Sequence, residues 1–215
     1  MNRILLLTDS LAMPREEPEL TLYEDTYPYI LRKKYEVFQF SKGGGLMKEF
    51  VEQTFYYNQF RPDIVILQIG IVDCAPRAFS KFEEEIFNLN CLNHFLRRKL
   101  SQLGITKKIR NMRKLSWTSK EDFSRGCIFL QGKFSHSKVF ALSIVPSTTE
   151  YEEKVPGISK KISEYNDILK SVFKSNYIDL SEIPSDGIMS DHHHLTAKGH
   201  LFVYEKIEMA LDKEV

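Results

Sequence analysis

The stretch RILLLTDSLAMP, residues 3–14, decides the fold class of this chain. Its apolar run, Ile4–Leu7, is too short for a helix of its own and predicts a buried strand. A Thr-Asp-Ser-Leu turn follows at the carboxyl end of that strand. In open α/β sheets the chemistry collects at this edge, so Ser10 is a candidate nucleophile. Taken alone, the stretch favours the alternative, a loop in which Asp9 or Ser10 caps the next helix.

Similar apolar runs recur along the chain and predict a five-stranded sheet. The predicted strands are Ile4–Thr8, Glu36–Phe40, Ile64–Ile69, Val139–Val145 and Tyr177–Leu180. Helical periodicity marks the segments Leu20–Lys33, Leu46–Asn58, Glu83–Leu100, Ile158–Phe173 and Ala197–Leu211. This alternation predicts an α/β fold, a three-layer α/β/α sandwich around a parallel sheet.

Length and composition are those of an ordinary globular protein. A chain of 215 residues with 42% hydrophobic residues and a formal charge of +1 predicts a single domain over residues 1–215 and no nucleic-acid partner. The first apolar stretch is too brief for a signal peptide, and no run approaches the roughly 20 residues of a transmembrane helix. The widely spaced cysteines, Cys74, Cys91 and Cys127, predict neither a disulfide framework nor a metal site. We therefore expect a cytoplasmic protein.

The interval from the third predicted strand to the fourth, residues 71–138, is longer than one crossover needs and predicts a helical insertion. Its basic part spans about 97–135, and residues 97–114 carry eight Lys or Arg and no acid. The apolar residues Ile105, Ile109, Met112 and Leu115 would share one helical face. Such a helix could contact an anionic surface or a partner, but the favoured interpretation is a solvated face packed by its apolar stripe.

Three further loops are expected at the same sheet edge as Ser10. Gly43-Gly44-Gly45 follows the second strand, Gly70-Ile71-Val72-Asp73 follows the third, and residues 191–194, DHHH, follow the fifth. Parallel strands have their carboxyl ends at one edge, so these loops should converge. The convergence predicts acyl-transfer chemistry.

The residue types supply each part of that chemistry. A serine hydroxyl needs a base, which His194 can provide, and Asp191 can fix the tautomer of that histidine. The oxyanion needs preorganised donors, such as the Ser10 amide and an amide of the triglycine turn.

Two blocks resemble the SGNH/GDSL hydrolase family, and the resemblance spans almost the whole chain. Thr8-Asp9-Ser10-Leu11 is similar to the Gly-Asp-Ser-Leu block, and residues 191–196, DHHHLT, are similar to the Asp-x-x-His-Leu block before the final helix. The resemblance implies a flavodoxin-like sheet, a catalytic triad of Ser10, Asp191 and His194, Gly44 as the oxyanion glycine, and no cofactor. It also implies hydrolysis of a small carboxylic ester, often an acetyl group on a carbohydrate, so we expect a small-molecule or glycan ester as substrate.

The third block departs from the family, because Val72 stands where Gly-x-Asn-Asp has its asparagine. Valine has no side-chain donor for an oxyanion. Arg77 could bind the oxyanion or an anionic substrate, or it could form an ion pair with Asp73, and the sequence leaves both alternatives open. Asp73, Arg77 and His193 are the predicted substrate contacts.

Other functions remain as alternatives. The histidine cluster could suggest a metal site, but adjacent histidines rarely point the same way, and no HExxH motif or cysteine pair accompanies them, so we predict none. An O-acyltransferase with the same triad and a non-catalytic glycan-binding module are the other candidates. The sequence does not predict the oligomeric state.

Overall fold

The sheet is built as the apolar runs predict. In the computed structural model, which describes residues 2–88, 99 and 104–212, the strands are β1 (Arg3–Thr8), β2 (Glu36–Ser41), β3 (Ile64–Gln68), β4 (Lys138–Leu142) and β5 (Tyr177–Ile178). All pairs are parallel, in the order β2-β1-β3-β4-β5. The central strands are buried apart from the first residue of β1, as continuous apolar runs require. The predicted flavodoxin-like sheet is confirmed.

Helices cover both faces of the sheet. They are α1 (Tyr27–Arg32), α2 (Met47–Glu52), α3 (Thr54–Tyr57), α4 (Ile71–Cys74), α5 (Lys81–Asn88), α6 (Ile105–Arg113), α7 (Lys120–Lys133), α8 (Thr149–Lys154), α9 (Ile158–Phe173) and α10 (Ala197–Asp212). The helix α7 packs against both α2 and α9, whereas α1 packs against α10. The predicted three-layer sandwich is therefore confirmed.

Two predicted helices are shorter or interrupted. The predicted helix Leu20–Lys33 is confined to α1, because Arg15 and Thr21 exchange two backbone hydrogen bonds of 2.9 and 2.8 Å and Pro28 lies in the first turn of α1. The predicted helix Leu46–Asn58 is split into α2 and α3 at Gln53, whose ψ of 0° departs from helical geometry.

The insertion between β3 and β4 contains α5 and α6, as predicted. Most of residues 89–103, including Arg97, Arg98 and Cys91, lie outside the described residues, as does the second half of the predicted helix Glu83–Leu100. In α6, Arg113 pairs with Glu83 at 2.8 Å, and Met112 is 79% exposed. The apolar stripe is therefore not packed at Met112, contrary to the sequence interpretation.

The carboxyl ends of neighbouring strands lie side by side and bring the predicted site loops together. Thr8, at the end of β1, pairs with Ser41 of β2 on one side and with Gln68 of β3 on the other. The loops that follow these strands therefore start next to one another. Within the described residues, the helices lack the length and apolar character to span a bilayer.

Candidate active site

Ser10 follows β1 directly, in a short 3-10 turn. The carboxylate of Asp9 caps that turn by accepting the Leu11 N–H at 2.9 Å, and the Asp9 N–H donates to the Gln68 carbonyl at 3.0 Å. Asp9 is fully buried, and burial raises its pKa to about 7, although the Leu11 hydrogen bond opposes this. The serine is half-buried, with its backbone fixed from both sides.

Asp191 organises the loop that precedes α10. Its Oδ1 accepts the backbone N–H groups of His193 and His194, at 3.1 and 3.0 Å. Its Oδ2 lies 2.6 Å from Nδ1 of His194. Burial tends to raise the pKa of Asp191, but the hydrogen bonds from His194 and His193 outweigh it and lower that pKa to about 2. Asp191 is therefore an ionised carboxylate. Nδ1 of His194 carries a proton and donates it as a hydrogen bond to Asp191.

Ser10 meets this pair from the other end of the chain. Ser10 Oγ lies 3.1 Å from Nε2 of His194, although 184 positions separate the two residues. The structure thus aligns Ser10, His194 and Asp191 as the sequence predicts. Their roles in catalysis stay a prediction until they are tested.

His194 remains neutral well below pH 7. Burial lowers its pKa to about 4; the Asp191 hydrogen bond opposes this shift, whereas His193 and Arg15 add to it. A neutral imidazole with its proton on Nδ1 presents a lone pair at Nε2. That lone pair can accept the hydroxyl proton of Ser10.

Arg15 is a site residue that sequence reasoning missed. Its Nη2 lies 2.6 Å from Nε2 of His194, on the atom that also faces Ser10. Nothing local marks Arg15, because it stands in a charged loop next to Glu16 and Glu17. Only the tertiary placement of that loop over His194 reveals the contact.

The triglycine turn lies at the start of α2 and needs its glycines for different reasons. Gly44 has a φ of +68°, which favours glycine. A Cβ on Gly45 would lie 2.9 Å from the ring of Phe50, so that position lacks room. Gly44 remains the predicted second oxyanion donor. Val72, on α4, is 8% exposed and offers no donor of its own.

Asp73 is not placed to contact a substrate, which corrects the prediction from its position in the third block. It is fully buried, and its carboxylate accepts the N–H of Met47 and the hydroxyl of Thr118. Burial raises its pKa to about 6, against these hydrogen bonds. Asp73 therefore fixes the beginning of α2.

Arg77 does not form the alternative ion pair with Asp73 among the described residues. The guanidinium of Arg77 lies over the ring of Trp117, 4.2 Å from the centroid, and the backbone N–H of Arg77 donates to the Leu115 carbonyl at 2.7 Å. Its buried Nε has no hydrogen-bond partner in the described chain, and burial lowers the pKa of the group. Its suggested roles with an oxyanion or a substrate stay predictions.

His193 borders the reacting pair. Its ring lies 4.0 Å from that of His194 and stacks on Tyr151, with 5.5 Å between centroids. His192 instead approaches the Thr148 hydroxyl through Nδ1, at 3.2 Å. His193 is therefore well placed for the predicted substrate contact, whereas His192 is occupied by Thr148.

Asp191, His193 and His194 are also the described group that could hold a metal ion, since their ligand atoms lie within 4.8 Å of one another. However, Asp191 Oδ2 and His194 Nδ1 are 2.6 Å apart, which is the distance of a charge-assisted hydrogen bond. A shared metal would require the two atoms to separate. The geometry fits a direct hydrogen bond between Asp191 and His194 better than a metal site.

The sequence matches no protein-family model and no curated protein. Among solved structures, a GDSL-like lipase from Bacteroides thetaiotaomicron is similar, with a TM-score of 0.63 and 13% identity over 100% of this chain and 89% of that one. The acetyl xylan esterase AlAXEase has a TM-score of 0.63 and 16% identity over 97% and 98% of the two chains. The psychrotrophic esterase EstA from Pseudoalteromonas sp. has a TM-score of 0.60 and 15% identity over 99% and 98%. This chain has the fold of the SGNH/GDSL ester hydrolases.

Proposed function

We propose that the protein is a serine hydrolase that cleaves a small carboxylic ester through an acyl-Ser10 intermediate. The observation that carries this proposal is the hydrogen-bonded line from Ser10 through His194 to Asp191, with distances of 3.1 and 2.6 Å. The proposal is supported by the position of Ser10 after the carboxyl end of β1, the sheet edge where α/β enzymes act. Cofactor chemistry is not needed for the reaction.

The mechanism follows from the protonation states of the three groups. Ser10 Oγ attacks the ester carbonyl while its proton passes to Nε2 of His194. Asp191 stabilises the imidazolium that forms, because its lowered pKa keeps it ionised. His194 then protonates the leaving alcohol, and a water activated by the same imidazole releases the acid from Ser10.

Oxyanion stabilisation is the weaker part of the site. We assign the backbone N–H groups of Ser10 and Gly44 as donors, and Val72 removes the side-chain donor that the family resemblance implies. Losing one such donor costs roughly 100- to 1,000-fold in rate. We therefore expect slow turnover of generic esters, unless Arg77 or another group supplies the contact.

A small hollow lies against the sequence neighbours of Ser10 and His194, Leu11 and His193. This hollow of about 10 Å³ is bordered by Leu11, Ile71, Tyr151 and His193, among others. That volume holds little more than one water or methyl group. We propose an acetyl ester, and since one structural neighbour is an acetyl xylan esterase, a carbohydrate is the first leaving group to try.

The decisive experiment uses p-nitrophenyl acetate and a fluorophosphonate probe. We expect the wild type to hydrolyse the ester, and we expect Ser10 Oγ to displace fluoride from the probe, so that the protein gains the mass of the phosphonyl group. Ser10→Ala should do neither. Ser175→Ala is the matched control, because Ser175 is exposed and precedes β5, at the opposite edge of the sheet.

A folded wild type that neither turns over the ester nor gains mass would refute the proposal and favour the non-catalytic glycan-binding alternative. Product analysis with an added sugar tests the acyltransferase alternative. Formation of a sugar ester in preference to free acetate would replace hydrolysis with transfer. Half-exposure of Ser10 gives water access and supports hydrolysis.

A further inference from the structure

Arg15 competes with Ser10 for one lone pair. Nη2 of Arg15 is 2.6 Å from Nε2 of His194, whereas Ser10 Oγ is 3.1 Å from the same atom. A guanidinium only donates hydrogen bonds, and neutral Nε2 has one lone pair to accept them. In this arrangement Arg15 occupies the position to which Ser10 must deliver its proton.

The backbone that carries Arg15 is tied down over the histidine loop. Arg15 and Thr21 exchange two backbone hydrogen bonds, and Glu19 between them accepts the N–H of Ser190 at 3.1 Å. The Thr21 hydroxyl reaches the carbonyl of Leu195 at 3.4 Å. The contact with His194 can therefore be released most simply by a rotation of the Arg15 side chain.

Among the described residues, no carboxylate pairs with the charge of Arg15. Its side chain bonds to a neutral imidazole, its Nε is buried without a partner, and none of the ion pairs among the described residues includes it. Asp191 is already engaged by His194 and by two backbone amides. A partly buried guanidinium without an anion fits a ligand that brings one, since Arg binds carboxylate and phosphate through two parallel hydrogen bonds.

Building on the proposed esterase, we propose that Arg15 determines specificity for esters that carry an anionic oxygen group, a carboxylate or a phosphate, close to the scissile bond. In the free protein Arg15 covers Nε2 of His194. The anion of the substrate draws the guanidinium away, and the lone pair then accepts the Ser10 proton as Oγ bonds to the carbonyl carbon. A neutral ester has no group that draws the guanidinium away, so it reacts more slowly, in the fraction of molecules in which the Arg15 side chain has already rotated off Nε2.

The same movement of Arg15 also removes an electrostatic repulsion from the reaction. Proton transfer from Ser10 makes His194 an imidazolium, and a guanidinium 2.6 Å away would repel it. An anionic group that holds Arg15 removes the guanidinium from Nε2 and neutralises it. Arg15 is thus a positioning residue that acts through His194, and the substrate completes the site.

Two pairs of esters test the preference in the wild type. O-Acetylsalicylate is compared with its methyl ester, and 1-acetylglycerol 3-phosphate with 1-acetylglycerol. We expect kcat/KM to be about 10- to 100-fold higher for the anionic member of at least one pair, which is the effect of one charge-assisted hydrogen bond. The pair that shows the preference identifies the anionic group that Arg15 recognises, which is a carboxylate in the first pair and a phosphate in the second.

Variants then assign the preference to Arg15. Arg15→Met removes the charge but keeps the apolar stem, so kcat/KM should rise for the neutral ester, fall for the anionic one, and bring their ratio near 1. Arg15→Lys should restore part of the ratio. Arg3→Met is the matched control. It should keep the wild-type ratio of kcat/KM values, because Arg3 begins β1 at the opposite edge of the sheet.

Several results would overturn the inference. One is equal wild-type rates within both pairs; others are an unchanged ratio in Arg15→Met or an equal loss on both members, which a structural role would produce. If Ser10 still takes up the fluorophosphonate in these cases, the esterase stands and only the role of Arg15 falls. If wild-type Ser10 is not labelled and no ester is cleaved, the proposed function itself fails.

Discussion

The carboxylate of Asp73 accepts the backbone N–H of Met47, with 3.0 Å to Oδ1 and 3.2 Å to Oδ2. Met47 is the first residue of α2, two positions after the last glycine of the triglycine turn, and Asp73 follows Val72 on α4. Thr118, in the insertion, donates its hydroxyl to the same carboxylate. One buried side chain therefore connects the segment after the proposed donor Gly44, the α4 segment of Val72, and Thr118.

Asp73→Ala should destabilise the fold and the site together. Two buried donors, on Met47 and Thr118, would lose their acceptor, at about 1–3 kcal/mol each. We expect the free energy of unfolding to fall by about 2–6 kcal/mol in urea titrations. Asp167→Ala, at an exposed position of α9, is the control. Equal stability of the two variants would contradict the structural role.

Asp191→Asn should abolish most of the activity and leave the fold intact. An amide nitrogen at the position of Oδ2 cannot accept the proton of Nδ1, so His194 would shift its proton to Nε2 and face Ser10 as a donor. We expect kcat for p-nitrophenyl acetate to fall by about 10³- to 10⁴-fold. Circular dichroism should show an unchanged fold. A loss below tenfold would exclude Asp191 as the orienting group.

Activity should persist in acid. Because burial lowers the pKa of His194 from 6.5 to about 4, the base stays unprotonated at pH values where an exposed histidine is charged. The acid limb of kcat/KM for a neutral ester should therefore have its midpoint near pH 4, measured where circular dichroism shows a folded protein. A midpoint near 6.5 would mean that His194 is solvated in the working enzyme.

The same shift makes stability depend on pH. His194 and the buried His200 both have folded pKa values of about 4, lowered chiefly by burial, against 6.5 in the unfolded chain. Their contribution is fully present above pH 6.5 and is lost as the pH falls towards 4. His200→Gln should flatten the decline in unfolding free energy over this range. An unchanged slope would show that His200 is not the group concerned.

Val72→Asn should increase generic esterase activity. An asparagine here would restore the side-chain donor whose loss costs roughly 100- to 1,000-fold, so we expect kcat to rise by at least about tenfold. Val72→Thr, with similar volume, controls for polarity alone. An unchanged kcat with p-nitrophenyl acetate would show that the missing donor does not limit the rate.

The sequence predicts the middle of the sheet well because β1 and β3 are buried on both faces. The apolar runs within β1 and β3 are continuous, with no polar residue between the apolar ones. The helix α9 begins and ends at the residues that its helical periodicity predicts. The strand β5 ends at Ile178, two residues early, because the Ser143 side chain accepts the N–H of Leu180. Such side-chain competition for backbone groups leaves no periodic signal.

In the candidate site, residues next to strand ends were predictable and residues brought in by tertiary contacts were not. Ser10 and His194 follow from their places in loops at one sheet edge. Asp73 was assigned to the substrate because the motif gives its position but not its burial. Arg15 carried no signal, since its importance depends on a loop that folds back over residues 190–195.

The 184 positions between Ser10 and His194 also separate the two residues in time during synthesis. Ser10 leaves the ribosome long before His194, so the proposed nucleophile is made without its proposed base. A nascent chain that has not yet reached His194 lacks the Ser10–His194 contact, whatever else has folded. The proposed chemistry therefore begins only after His194 has been made and has met Ser10.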